Sequence, residues 1–280
     1  MNPSPLKSVN WLSENLDEDN LIILDASLPK PMSKAGDNPL NGLHIKGARH
    51  FDIDKVFSDK NSELPHTMLS PEDFQKAAQS IGINQKDTIV VYDNLGVYAS
   101  PRAWWMFRSM GHEEVYVLDG GLPLWHEKGL PVEDKLVAPT QKGNFVSNPF
   151  ASYFVNSQDV LAGIDDDQIT TLDARSEGRF YGTAPEPREG LRSGHIPNSK
   201  SLPFPSLMDG WNMKNQNELA EEFDKLQIDK SNSMYCSCGS GLTACIIALG
   251  ATVAGFENIS VYDGSWSEWG LPGKLPVSTT

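Results

Sequence analysis

Cys238 is the residue of this chain whose type and setting point most directly to chemistry. It stands in Met234-Tyr235-Cys236-Ser237-Cys238-Gly239-Ser240-Gly241-Leu242-Thr243-Ala244-Cys245. The pattern predicts a strand ending near Ser237, a tight loop from Cys238 to Thr243, and a helix beyond it. Gly239 and Gly241 admit backbone conformations closed to other residues. Such a turn aims several backbone N–H groups at one point, and the positive end of the following helix adds to them. An anion nest of this kind stabilises a thiolate, the nucleophilic form of cysteine. A lone cysteine at a strand end is more often a buried structural residue; the strand–Cys–Gly-x-Gly–helix setting reverses that preference.

The other two cysteines read differently. Cys236 lies on the strand and Cys245 on the apolar helix, both as core residues. A Cys236–Cys238 redox pair or a metal site is the weaker reading, because no histidine follows at zinc-ligand spacing. Two phosphate-binding loops share parts of the motif. A Walker loop needs lysine before the threonine, where this chain has Leu242. A cysteine phosphatase needs an arginine at the far end of its loop, which here runs Leu242-Thr243-Ala244.

The elements that must hold this loop are visible as an internal repeat. Ile22-Ile23-Leu24-Asp25-Ala26 returns as Thr170-Thr171-Leu172-Asp173-Ala174, and His44-Ile45 as His195-Ile196. Thr88 to Asp93 returns as Ser233 to Cys238, and Val117-Leu118-Asp119-Gly120-Gly121 as Val261-Tyr262-Asp263-Gly264-Ser265. The offset stays between 141 (Gly129 to Gly270) and 151 (His44 to His195) residues. That is a duplicated domain with small loop insertions, and a period far too long for a solenoid. In each copy short apolar runs alternate with helical patterns: Ser70 caps a helix from Pro71, Ile89–Tyr92 is a buried strand, a helix begins near Pro101, and Val115–Leu118 is another strand. The expected fold class is α/β, two tandem domains, each a mostly parallel sheet flanked by helices, with sites beyond the carboxyl ends of the strands. The first domain is expected over residues 1–135, a linker over 136–151, and the second domain over 152–280.

Bulk properties limit the partners. The 280 residues carry 39% hydrophobic and 21% charged side chains and a net charge of -14. A charge of that sign disfavours nucleic acid and anionic membranes. Three cysteines within ten residues are no disulfide framework, and the first eight residues contain no apolar run of a secretory signal. Ala244 to Gly255 is too short to span a bilayer. A cytoplasmic protein is the expectation.

The chain resembles the rhodanese family of sulfurtransferases, and within it those that use 3-mercaptopyruvate. The resemblance covers nearly the whole sequence. It rests on Cys238-Gly239-Ser240-Gly241-Leu242-Thr243, on Ser100 to Trp105, on Ser193-Gly194-His195-Ile196-Pro197, and on Tyr262 to Trp269. It implies that Cys238 carries sulfur as a persulfide and that the first domain is catalytically silent, since Asp93 aligns with Cys238. Thiosulfate-using members typically carry basic residues where Gly239 and Ser240 stand.

The resemblance also implies a substrate segment, Gly178 to Arg188, in which Arg179 and Arg188 hold the carboxylate and ketone of the donor. Arginine presents a planar fork of donors suited to that task; the alternative is two surface arginines. The segment is rich in Pro and Gly and reads as a loop free to fold over the site. Gly239, Gly241, Leu242 and Thr243 complete the substrate-binding loop. A Ser240–His66–Asp54 relay is implied for proton movement, the alternative for His66 being an exposed loop residue. The family usually runs His-Met-Leu-Pro, whereas Thr67 intervenes here. His44, His195, Asp25, Asp173 and Arg175 are read as fold residues, and the tryptophans as core or interface residues. No metal or organic cofactor is implied. The expected acceptors are a thiol such as thioredoxin, small thiols or cyanide. The alternatives are a thiosulfate:cyanide sulfurtransferase and a non-catalytic persulfide relay.

Overall fold

A computed structural model describes residues 4–28, 40–273 and 275–279; the first three residues of the N-terminal stretch read above lie outside it. The chain forms two compact units. The first comprises residues 1–58, 68–150 and 209–213, and the second 59–67, 151–208 and 214–280. Each half of the chain therefore contributes one short segment to the other's unit.

The first unit is built on five parallel strands: β1 (Leu6–Lys7), β2 (Leu21–Asp25), β3 (Arg49–His50), β4 (Thr88–Tyr92) and β5 (Val115–Leu118), in the order β1-β5-β4-β2-β3. Side chains alternate across a strand, so each strand feeds two cores. Ile23, Val90, Tyr92, Tyr116 and Leu118 face one way and pack with Trp125 and with Val9 and Leu12 of helix α1 (Val9–Glu14). Helices α2 (Pro71–Ser80) and α3 (Ser100–Ser109) carry Phe74 and Phe107, which pack edge to face at 5.2 Å within a cluster that includes Phe51, Phe57 and Phe145. Ser70 caps α2 as expected, its hydroxyl accepting from the Asp73 amide. Helix α4 (Gly121–Glu127) follows β5. The segment 143–150 is docked on this unit: Phe145 is fully buried, and the amides of Gly143, Phe145, Asn148 and Phe150 donate to Gln79, Ile83, Met110 and Ser109 carbonyls.

The second unit repeats the plan with β6 (Phe154–Val155), β7 (Ile169–Asp173), β8 (Lys200–Ser201), β9 (Ser233–Ser237) and β10 (Ile259–Tyr262), in the order β6-β10-β9-β7-β8, again all parallel. The two orders are the same when strands are numbered within each copy, as a duplication requires. Helix α5 (Ser157–Ala162) opens with an Asn156 capping box. Helix α6 (Glu177–Phe180) is a single turn, and α7 (Gln216–Lys225) is amphipathic with Leu219 and Phe223 buried. Helix α8 (Ala244–Ala254) buries nine of its eleven residues, so the loop that precedes it is fastened to the core. Gly255 ends α8 in the left-handed conformation that a C-terminal cap requires. Helix α9 (Ser265–Trp269) buries Trp266 and Trp269. Among the tryptophans, Trp211 departs from the expected burial and is 43% exposed. Among the described residues no helix is long and apolar enough to cross a membrane.

Candidate active site

The cysteine loop has the expected frame. Strand β9 ends at Ser237, helix α8 begins at Ala244, and Gly241 takes a left-handed φ of 74° between them. Cys238 is 1% exposed. Cys245 turns its thiol back to the Gly241 carbonyl at 3.3 Å. Burial pushes the Cys236 thiol well above its ordinary value, and the neighbouring Cys245 and Cys238 add to the effect. Cys236 is therefore a protonated core residue, and Cys238 is the thiol at the loop mouth.

Helix α9 and the turn before it form the scaffold under Cys238. The Cys238 amide donates to Ser265 Oγ at 3.1 Å, and that hydroxyl donates to the Tyr262 carbonyl at 2.7 Å. The Trp266 amide donates to the Cys238 carbonyl, and the Ser267 amide to the Gly239 carbonyl, both at 2.9 Å. Ser267 Oγ donates to the same Gly239 carbonyl at 2.6 Å. The Cys238 amide is thus spent on the scaffold rather than on the nest. Ser265 makes this contact at a φ of 46°, a conformation costly for a residue with a Cβ. Its counterpart in the first unit is Gly121, at a φ of 50°. The comparison Gly120-Gly121 against Gly264-Ser265 was already visible in the repeat and is the signal that marks Ser265. Ser267 carried no such signal.

Ser240 and His66 are brought together: His66 Nδ1 lies 2.9 Å from Ser240 Oγ. His66 sits on the 59–67 segment, which belongs to the second unit. The extra Thr67 is absorbed in closing that loop. Its carbonyl accepts from the Asp59 amide at 2.9 Å, and its hydroxyl meets Ser62 Oγ at 2.7 Å and the Leu64 carbonyl at 3.1 Å. His66 itself takes a φ of 60°, a left-handed conformation in which histidine is enriched. Asp54 belongs to the first unit, at an exposed position in a turn held by the Asp52 carbonyl and carboxylate.

Arg179 and Arg188 both reach the residue after the cysteine. A Cβ at Gly239 would stand 3.3 Å from Arg179 Nη2 and 3.8 Å from Arg188 Nη1. A Cβ there would press the Arg179 guanidinium back by a few tenths of an ångström and meet Arg188 at ordinary contact distance. The expected free loop is not what carries Arg179, which lies on the turn of α6 and is pinned. Its Nε donates to both oxygens of Glu186 at 3.1 and 3.2 Å, and its Nη2 to Glu186 Oε2 at 2.5 Å. The other Glu186 oxygen takes Arg175 Nη1 at 2.7 Å. Arg175 is 1% exposed, pairs with Asp173, donates to the Gly194 carbonyl and stacks 4.0 Å over Trp266. Asp173 and Arg175 are thus fold residues, as read, whose network extends into the site. Arg188 is exposed, and its Nη1 donates to Ser267 Oγ at 3.1 Å. Glu186 was missed as a functional residue; its only signal was an acid set between two prolines inside the arginine segment.

The first unit shows how this type of loop surrounds a carboxyl group. The Asp93 carboxylate accepts from the amides of Leu95, Tyr98, Ala99 and Ser100 at 2.9–3.0 Å and from the Ser100 hydroxyl at 2.7 Å. Burial pushes the Asp93 carboxyl up, opposed by these hydrogen bonds. The Leu122 amide donates to the Asp93 carbonyl, as Trp266 does to Cys238. A Cβ at Gly121 would stand 2.6 Å from the Asp93 carbonyl oxygen, so only glycine fits there.

Comparison with known proteins agrees with this geometry. A rhodanese-like domain is matched twice, over residues 8–128 and 156–271. The "Thiosulfate/3-mercaptopyruvate sulfurtransferase 1, mitochondrial" of Arabidopsis thaliana is 40% identical over 98% of this chain and 78% of its own. The 3-mercaptopyruvate sulfurtransferase of Escherichia coli K12 is 38% identical, covering 96% of this chain and 95% of the relative. The crystal structure of SseA, a 3-mercaptopyruvate sulfurtransferase from Escherichia coli, superposes with a TM-score of 0.84 at 33% identity over 95% of this chain and 100% of that one. The duplicated parallel sheets, the cysteine loop of the second unit and these relatives lead to one conclusion: the chain belongs to the rhodanese family and is a sulfurtransferase.

Proposed function

We propose that this sulfurtransferase takes sulfur from 3-mercaptopyruvate onto Cys238 as a persulfide, releases pyruvate, and passes the sulfur to a thiol acceptor such as thioredoxin, or to cyanide. The observation that carries the reading is the meeting of two arginines over Gly239, beside the only loop-mouth thiol among the described residues. The fork of Arg188 suits a carboxylate, and Arg179, held by Glu186 through Nε and Nη2, keeps Nη1 for an adjacent ketone. Cys238 as thiolate attacks the donor's sulfur; the C–S bond breaks, and its electron pair leaves with carbon as the enolate of pyruvate. Arg179 and Arg188 stabilise the developing enolate oxygen. The enolate carbon takes a proton, which the Ser240–His66 pair supplies; the 2.9 Å between Oγ and Nδ1 supports this role. The persulfide anion then rests in the loop whose counterpart holds the Asp93 carboxylate. This chemistry needs a reduced Cys238, which supports a cytoplasmic setting.

Thiosulfate is the second donor to test, because the name of the Arabidopsis relative includes it. Gly239 and Ser240 carry no charge, so the loop lacks the basic residues expected of a thiosulfate site. Pyruvate release from 3-mercaptopyruvate and sulfite release from thiosulfate, assayed in parallel, decide between them. Faster turnover of thiosulfate overturns the donor. Failure of Cys238 to gain the mass of one sulfur atom on incubation with 3-mercaptopyruvate overturns the persulfide.

A further inference from the structure

The two arginines over Gly239 are not equivalent in charge. Arg175, Arg179, Asp173 and Glu186 form one chain of ion pairs, two cations with two anions. The Glu186 side chain is 2% exposed, so solvent does little to screen it. Arg188 has the Ser267 hydroxyl as its partner and, among the described residues, no carboxylate. Cys238 apart, these three guanidiniums and two carboxylates leave a single positive charge, and it resides on Arg188. Arg179 keeps its Nη1 hydrogens directed away from Glu186, which takes Nε and Nη2, while its charge is cancelled.

We propose that Glu186 is a specificity-determining residue: by cancelling Arg179 it holds the arginine set of the anion site at one net positive charge, matching a donor with a single carboxylate and disfavouring a dianion. Arg179 then contributes directed hydrogen bonds, and Arg188 the net electrostatic attraction. Glu186 touches no substrate and acts through Arg179. The proposal rests on the donor reading above, and its test is kept apart from catalysis. It uses two anions that do not transfer sulfur, pyruvate as monoanion and sulfate as dianion.

Binding of both anions to the reduced full-length protein is measured by titration calorimetry. In the unaltered protein, sulfate binds no more tightly than pyruvate; sulfate tighter by tenfold overturns the proposal without any variant. Glu186→Gln keeps the shape and removes the charge. The ratio of sulfate to pyruvate affinity then rises by about tenfold or more, since a dianion gains twice what a monoanion gains from the same charge change. Glu186→Asp keeps the charge, shortens the reach and leaves the ratio at its original value. An unchanged ratio in Glu186→Gln, or an equal change in Glu186→Asp, overturns the proposal. Failure of the unaltered protein to release pyruvate from 3-mercaptopyruvate counts against the donor reading alone.

Discussion

Asp93 and Cys238 stand at the same station of their two sheets. Each directly follows the strand residue that pairs with the aspartate ending the neighbouring strand, Tyr92 with Asp25 and Ser237 with Asp173. One copy places a carboxyl group there and the other a thiol, and the first copy's loop wraps that carboxyl group with four amides and a hydroxyl. Asp93→Ala removes the acceptor from all five donors. Each orphaned buried donor costs about 1–3 kcal/mol, and the costs are not additive. The variant is expected to lose about 3 kcal/mol or more of stability in denaturant unfolding, while sulfur transfer per folded molecule stays unchanged. An equal loss of turnover would show that the first copy is not silent.

Ser265 separates conformational cost from hydrogen bonding. Ser265→Ala keeps the left-handed strain and leaves the Cys238 amide without its acceptor; Ser265→Gly relieves the strain and leaves the same amide bare. Both are expected to lower kcat. The glycine variant should melt higher than the alanine variant, by about 1 kcal/mol in stability. Equal stability of the two would remove strain from the account.

His66 is tested through kcat. His66→Ala takes the ring from Ser240 Oγ and should lower kcat by about a hundredfold with little change in KM, the usual range for loss of a general acid or base. Steady-state pyruvate release reads this directly, and a kcat near that of the unaltered protein rejects the proton role.

Among the cysteines only Cys238 should be required. Cys236→Ala leaves a small cavity beside α8 and keeps sulfur transfer, because the Cys236 thiol is held protonated by burial. Cys238→Ser abolishes it. Loss of activity in folded Cys236→Ala would assign that thiol a part in the transfer.

Acid sensitivity of the first unit is expected from Asp25. Burial alone would push its carboxyl up, but hydrogen bonds from His44, Ser27 and Tyr92 outweigh this and hold it below the ordinary value of 3.8. A lowered acid contributes stability above its unfolded value and loses it as pH falls through the folded one. Asp25→Asn should therefore be less stable than the unaltered protein near neutrality, and the gap should close below about pH 3.8. Urea unfolding across that range measures it; a gap independent of pH assigns the effect to packing.

The local order of elements could be read from the chain because it depends on neighbours. The strand–Cys238–Gly–x–Gly–helix pattern, the Ser70 cap and the alternation of strands with helices all involve residues within a few positions of one another. The repeat extended that reach by aligning Asp93 with Cys238 and Gly121 with Ser265. The sequence alone thus determined the α/β class and the duplication, and it singled out Cys238 and its counterpart Asp93 as the positions to test. It did not determine what meets Cys238 from afar. The Cys238 amide goes to Ser265, 27 residues away, and Ser240 meets His66 across 174. Thr67 reads as a disruption until the loop closes around its hydroxyl. Arg179 reads as free until Glu186 pins it and takes up its charge. These pairings are decided only when the strand register sets the loop ends side by side. Hydrogen bonds and charge cancellation act over a few ångströms of space, and a linear chain does not encode those distances in its local pattern.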